Sequence, residues 1–151
     1  MERAITSSPY DLERDYFVYK MTKYVDFLED IDSFTLSKLY QKSETKLYHK
    51  HQILFESGDF CSSIYLILSG VVEISLIHCD GQVTPMDVCG RGTIIGFSNV
   101  LGKEKWIYRA TAKSADVTQV IEVSGTVIKY LSRKNKALMI SIEKQLNVQN
   151  I

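Results

Sequence analysis

The chain has 151 residues, of which 45% are hydrophobic and 24% charged, a balance typical of one globular domain with a substantial core. Eighteen basic and eighteen acidic residues leave no net charge, so the composition does not favour direct contact with nucleic acid. Residues 1–15 lack the apolar centre of a secretory signal, and the most apolar run, 64–77, is too short to span a bilayer as a helix. We therefore expect a cytoplasmic protein without membrane insertion.

The cysteines and histidines predict neither disulfides nor a metal site. Cys61, Cys79 and Cys89 are odd in number and lack CxxC spacing, so reduced thiols are expected. His49 and His51 flank a lysine and have no acidic residue beside them. A metal site needs three or four convergent ligands, so no metal is predicted.

The first part of the chain, residues 1–44, is predicted to form helices. Ser8 and Pro9 make a good N-cap and first-turn pair, and Asp11 and Glu13 follow where the helix dipole favours acidic side chains. A second helix is predicted to begin at Asp32 or Ser33, and the segment 25–31 between the helices is expected to dock on the core. The apolar positions at helical spacing are Leu12, Tyr16, Phe17, Met21 and Tyr24 in the first helix, then Phe34, Leu36, Leu39 and Tyr40 in the second.

The middle of the chain, residues 45–124, is strand-like and punctuated by glycine. Asp80-Gly81 is a strong hairpin signal between two apolar runs. Strands this short and this regularly spaced predict a small sandwich or barrel. The predicted strands are 47–49, 53–55, 64–68, 71–77, 83–88, 108–112 and 117–123.

The end of the chain, residues 125–151, is predicted to return to helix. Ser124 can cap a short helix, and a second helix is predicted to begin at Asn135 or Lys136. Its apolar positions at helical spacing are Leu138, Met139, Ile142 and Leu146.

Three short motifs in this order resemble the cyclic-nucleotide-binding domain family. The first is Gly58-Asp59 followed by the run 65–73, which reads YLILSGVVE. Asp80-Gly81 then stands where the family has its central hairpin, and residues 90–96, GRGTIIG, resemble the family's lead into its phosphate-binding cassette. The resemblance covers residues 25–147. It implies an α+β fold: an eight-stranded antiparallel β-roll of jelly-roll type at 45–124, with helices before it and two helices after it.

The cassette departs from the family at both of its polar anchors. In the family a Gly-Glu pair opens the cassette, the Glu accepts hydrogen bonds from the ribose, and an Arg nine residues later pairs with the cyclic phosphate. Here Gly96 is followed by Phe97, and nine residues further stands Trp106. Hydrogen bonds to charged groups contribute roughly 1.5–3 kcal/mol each, so the loss of both anchors predicts weak or no cyclic-nucleotide binding. Phe97 and Trp106 can instead fill the cavity, or stack on a flat ligand.

Arg109 offers an alternative phosphate anchor if the cassette is looped out by three residues. The ungapped match of 112–114, AKS, to the family's next strand argues against that register. Residue 109 also faces away from residues 106 and 108 on a strand, which favours a solvated cation. The candidate pocket residues are Gly96, Phe97, Ser98, Asn99, Trp106, Ile107, Tyr108 and Arg109.

The resemblance also implies a lid over the pocket. In the family the last helix closes over the ligand, and here that helix would span about 136–147, with Leu138, Met139 and Ile142 on its apolar face. The same face can pack on its own domain as an ordinary amphipathic helix.

The resemblance implies a regulatory module within a larger parent protein and not an enzyme. No nucleophile–base spacing or P-loop is found, and no cofactor is predicted. The helical lead 10–40 is most similar to the segment before such domains in potassium and cyclic-nucleotide-gated channels, which favours a cytosolic channel domain with channel subunits as partners. The alternatives are a small-ligand sensor with a non-standard pocket, and the effector domain of a Crp/Fnr-like transcription regulator. Association into homo-oligomers is left open.

Overall fold

A computed structural model of the protein describes residues 9–24, 33–96 and 105–128. Two helices come first, and all the strands follow. The helices are α1 (Pro9–Tyr24) and α2 (Ser33–Gln41). The strands are β1 (Glu44–Tyr48), β2 (Ile53–Phe55), β3 (Ser63–Ser69), β4 (Val72–Ile77), β5 (Val83–Cys89), β6 (Ile94–Ile95), β7 (Tyr108–Ala112) and β8 (Thr118–Ser124).

The strands form two four-stranded antiparallel sheets, in the orders β1-β8-β3-β6 and β2-β7-β4-β5. Neighbours in each sheet are distant in sequence, apart from the β4–β5 hairpin, so the chain crosses repeatedly between the sheets as a jelly roll does. The predicted α+β fold with an eight-stranded antiparallel roll is therefore confirmed.

The Asp80-Gly81 hairpin forms where the sequence predicts it. The amide of Gly81 donates to the carbonyl of His78 at 2.9 Å, and that of Gln82 donates to the Asp80 carboxylate at 3.0 Å. This turn pairs Ile77 with Val83, and a register shift between Ile74 and Ser75 then pairs Ile74 with Asp87. Strand β5 is an edge strand of its sheet.

The core lies between the sheets and under the two helices. Strand β3 is buried at six of its seven positions, because both its faces are covered. Phe17 and Met21 of α1 and Leu36 and Leu39 of α2 are all at most 2% exposed and join this core. The sequence places Leu12 and Phe34 on the same apolar faces, which is wrong, since their side chains are 61% and 68% exposed. Both lie near the N-terminal end of their helix, where their side chains are only partly covered.

Helix α1 is fixed to the roll by Arg91, in the loop between β5 and β6. The guanidinium of Arg91 donates to the carbonyl of Leu68 at 2.5 Å and lies 4.1 Å from the centre of the Tyr16 ring. Glu13 accepts a hydrogen bond from Tyr40 at 2.8 Å, which joins α1 to α2. The helices are thus attached to the loop that leads into β6.

The chain beyond β8 begins a helix at residues 125–128, and the amide of Thr126 donates to the Ser124 hydroxyl at 3.2 Å. This confirms Ser124 as the cap. The predicted last helix and the segment 25–31 lie outside the described residues. No described helix is both long and apolar enough to span a membrane.

Candidate functional site

A cavity of about 290 Å³ opens inside the roll, between β6 of one sheet and the inner face of the other. Most of its wall is apolar or aromatic, and its polar groups are few, which is the usual character of a small-molecule site. The lining residues are Phe55, Ile74, Asp87, Cys89, Thr93, Ile94, Ile95, Trp106, Ile107 and Tyr108.

Trp106 forms one wall of this cavity and belongs to the core. Its side chain is 7% exposed, and its ring stacks on Phe55 with centroids 3.7 Å apart and an interplanar angle of 14°. Tyr65 lies 6.4 Å away in a tilted arrangement. Two backbone bonds hold the residue: its amide donates to the Asp59 carbonyl at 2.8 Å, and its carbonyl accepts from the Gly58 amide at 2.7 Å. The family resemblance expects a phosphate-binding arginine at this position, and the structure places an immobilised indole there.

Gly96 leaves the space that the indole occupies. Its φ is +89°, in the left-handed region that favours glycine. A Cβ at this position would lie 2.3 Å from Cη2 of Trp106, closer than any real contact. Gly96 and Trp106 are therefore fitted to each other, because the missing side chain of the glycine gives the indole its space.

Arg109 lies on the opposite face of the sheet from the cavity. Its Nε lies 2.9 Å and 3.0 Å from the two carboxylate oxygens of Glu56. Along β7, residue 109 is paired with Ser75 of the neighbouring strand β4. The hydrogen bond from Arg109 lowers the pKa of the Glu56 carboxyl. This placement agrees with the strand alternation used in the sequence analysis, and it turns Arg109 away from the position that a phosphate anchor would need.

Among the described residues that line the cavity, Asp87 is the one with a charged side chain, and it lies at an exposed position on β5. Burial, and after it the negative charge of Asp87, raises the pKa of the neighbouring Cys89 thiol, so that thiol is neutral. Lys105, the described lysine nearest to Trp106 in sequence, lies with Nζ 5.1 Å from the Phe60 ring centre. Among the described residues, no cluster of three or more potential metal ligands occurs.

The structure brings together only part of the predicted pocket. Trp106, Ile107 and Tyr108 line the cavity, and Ile107 and Tyr108 are 64% and 37% exposed at its mouth. Gly96 meets Trp106 from the β6 side. Phe97, Ser98 and Asn99 lie outside the described residues, as do the predicted lid residues Leu138, Met139 and Ile142.

Sequence reasoning missed the lining residues on β2, β4 and β5: Phe55, Ile74, Asp87 and Cys89. For β5 the hairpin turn alone would give the wrong face. An unbroken register from the turn would pair Ile74 with Met86, and it is the register shift between Ile74 and Ser75 that brings Asp87 and Cys89 to the cavity face. The stacking of Phe55 on Trp106 joins two strands far apart in sequence, and no local pattern indicates it.

Comparison with known proteins identifies the family to which this β-roll belongs. The model of the family described as "Cyclic nucleotide-binding domain" matches residues 45–135. The match covers more than half of the chain, and the chain belongs to this family. The "Anaerobic regulatory protein" of Bacillus subtilis is 27% identical over 119 residues, which cover 78% of this chain and 50% of that protein. The chain thus spans about half the length of this curated relative.

Solved structures with the same fold include bacterial and eukaryotic regulatory domains. The sensor domain of the transcriptional regulator DNR from Pseudomonas aeruginosa matches with a TM-score of 0.73 and 16% identity, over 91% of this chain and 90% of that one. The regulatory domain of Toxoplasma gondii PKA, solved with cAMP, matches with a TM-score of 0.68 and 12% identity, over 89% and 50%. One of these is the sensor domain of a transcriptional regulator and the other is a regulatory domain.

Proposed function

We propose that this chain is the sensor domain of a Crp/Fnr-like transcription regulator, and that its pocket does not hold a cyclic nucleotide in the family's usual way. The observation that carries the second part is the stack of Trp106 on Phe55, which buries the indole where sequence spacing predicts the family's phosphate anchor. The first part is supported by the similarity to the Bacillus subtilis regulator and to the Pseudomonas aeruginosa sensor domain. A regulator of this type acts in the cytoplasm, where we expect this protein.

The electrostatics of the cavity support the loss of the cyclic phosphate. A buried phosphate needs a cation or several donors, because an unpaired charge removed from water costs several kcal/mol. The described lining has an aspartate as its charged residue, and Arg109 is paired with Glu56 on the other face. Asp87 would repel the phosphate further.

Calorimetric titration of the purified domain with cyclic AMP and cyclic GMP tests this part of the proposal. We expect no saturable heat up to millimolar ligand. The variant Trp106→Arg is the matched comparison, because it removes the indole and returns the family's guanidinium to that position. One-to-one binding of either nucleotide to the unmodified domain at micromolar concentration would overturn the proposal.

The regulator assignment has a competitor in the channel domain expected from the helical lead. Helices α1 and α2 are present, but the Pseudomonas aeruginosa sensor domain matches over 91% of this chain, so the two helices do not discriminate. The natural full-length protein decides the matter. We expect its mass and sequence to include a DNA-binding domain joined to this one, with binding to double-stranded DNA in a mobility-shift assay. Membrane-spanning segments in that protein would favour the channel instead.

A further inference from the structure

The cavity retains free volume although Trp106 occupies the anchor position. Its volume of about 290 Å³ is at the lower limit of small-molecule pockets, which typically measure about 300–1,000 Å³. Such a volume suits a ligand built on one small ring system.

The walls of the cavity differ from its mouth. Ile94 and Trp106 are buried at 5% and 7% exposure and form the inner wall with Phe55. The polar groups are Asp87, Thr93 and the hydroxyl of Tyr108, of which Asp87 and Tyr108 lie on exposed positions. A ligand that enters ring first would therefore bury an apolar ring and leave a polar group near the mouth.

The charges around the cavity select the sign of that polar group. Asp87 is the charged residue of the described lining. The described cations nearest in sequence to Trp106 face other groups: Lys105 lies over the Phe60 ring, and Arg109 is bonded to Glu56. Burial raises the pKa of the neighbouring Cys89 thiol, and the negative charge of Asp87 raises it further.

We infer that the cavity binds a small aromatic amine, with the ring against Trp106 and Ile95 and the protonated amine directed to Asp87. This inference rests on the proposed function, because it requires a pocket that no longer serves a cyclic phosphate. It reverses the charge of the ligand: the family's pocket receives an anion, and this pocket receives a cation.

Three probes with the same ring and different charge test the inference on the unmodified protein: 2-phenylethylamine, 2-phenylethanol and 3-phenylpropionate. Dissociation constants and sites are measured from amide shifts in a ¹⁵N-labelled domain. We expect the amine to bind most tightly and the carboxylate least tightly, with shifts at Cys89 and Ile95. Because Asp87 is exposed, we expect the dissociation constant to rise about two- to fivefold from the amine to the alcohol, and again from the alcohol to the carboxylate. The tighter binding of the amine is expected to weaken as the salt concentration is raised.

A pair of variants locates the charge. Asp87→Asn is expected to remove the preference for the amine over the alcohol. Glu73→Gln is the matched control, because it neutralises a carboxylate on the adjacent strand, paired with Val88 on the face opposite to the cavity; we expect it to leave the preference intact. An unchanged preference in Asp87→Asn, equal or tighter binding of the carboxylate, or no binding of any probe would each overturn the inference.

The outcome is separable from that of the proposed function. Micromolar binding of cyclic AMP would refute the proposed function and this inference together. Absence of cyclic-nucleotide binding combined with preference for 3-phenylpropionate would refute only the charge selection inferred here.

Discussion

Strands β3 and β5 have seven residues each and belong to the same roll, yet they differ in almost every respect. Strand β3 lies between β8 and β6, and six of its side chains are buried. Strand β5 is at the edge of its sheet, and six of its residues are exposed, including Val83, Met86 and Val88. The buried strand supplies packing, and the edge strand supplies the cavity mouth. We therefore expect stability and the inferred selection of a ligand to depend on different parts of the roll.

The largest effect is expected at Trp106, whose ring lies near Tyr65 of β3 and lines the same cavity as Asp87 of β5. Trp106→Ala removes a buried ring that packs on Phe55, so we expect a loss of about 3–5 kcal/mol in the free energy of unfolding, measured by urea denaturation. Apolar cavities left by such truncations can bind the missing group, so indole is expected to raise the melting temperature of this variant more than that of the unmodified protein. Ile107→Ala, a change at the exposed neighbouring position, is the control. A loss below about 1 kcal/mol for Trp106→Ala would contradict the packing described here.

The contrast between the two strands can be measured with one truncation in each. Ile67 on β3 is fully buried and Val88 on β5 is 63% exposed. We expect Ile67→Ala to cost about 2–5 kcal/mol and Val88→Ala to stay within about 0.5 kcal/mol of the unmodified domain, both from urea denaturation. Similar costs for the two variants would mean that β5 is covered in solution.

Gly96 tests the fit between β6 and the indole. Gly96→Ala is expected to destabilise by about 2–5 kcal/mol, since it adds overpacking against Trp106, about 1–3 kcal/mol, to the cost of a positive φ, about 1–2 kcal/mol. Gly81→Ala is the matched control, because its φ is +90° and a Cβ there would meet nothing within 4 Å. Gly81→Ala is therefore expected to lower the free energy of unfolding only by the cost of a positive φ, about 1–2 kcal/mol. Equal melting temperatures for the two variants would show that Trp106 does not occupy this space.

The smallest effect concerns the ion pair on the outer face of the sheet. The hydrogen bond from Arg109 lowers the pKa of the Glu56 carboxyl, so its stabilisation is complete above the ordinary carboxyl pKa, roughly 4.3, and is lost as the pH falls through the lower folded value. Both side chains are about one third exposed, so we expect Glu56→Gln to cost less than about 1 kcal/mol at pH 7. The difference between the variant and the unmodified protein should vanish in acid. A difference that grows as the pH falls would contradict the assignment.

The sequence predicted what local patterns can encode. The Asp80-Gly81 hairpin, the strand 108–112 and the Ser124 cap are all present, because each depends on a few adjacent residues. The match of Trp106 to the family's anchor position rests on spacing and stays a prediction. The stack on Phe55 depends on a contact between strands distant in sequence, and the placement of Asp87 at the cavity depends on a register shift within the β4–β5 hairpin. Neither was predicted. Exposure of Leu12 and Phe34 shows the same limit, since helical spacing does not reveal where a helix stops touching the core.

The setting of the domain depends on information of a different kind. Helices before a β-roll suggested a channel domain, but α1 and α2 are also compatible with a bacterial sensor. The residues that distinguish the two settings lie outside the roll, so the fold cannot choose between them.

The most direct measurement is acrylamide quenching of the fluorescence of Trp106, the chain's one tryptophan, with and without cyclic AMP. An indole that is 7% exposed and stacked on Phe55 should emit at short wavelength, resist quenching and remain unchanged in millimolar cyclic AMP. Ready quenching, or a saturable change at micromolar cyclic AMP, would show that the indole does not fill the anchor position and that the pocket remains open to the nucleotide.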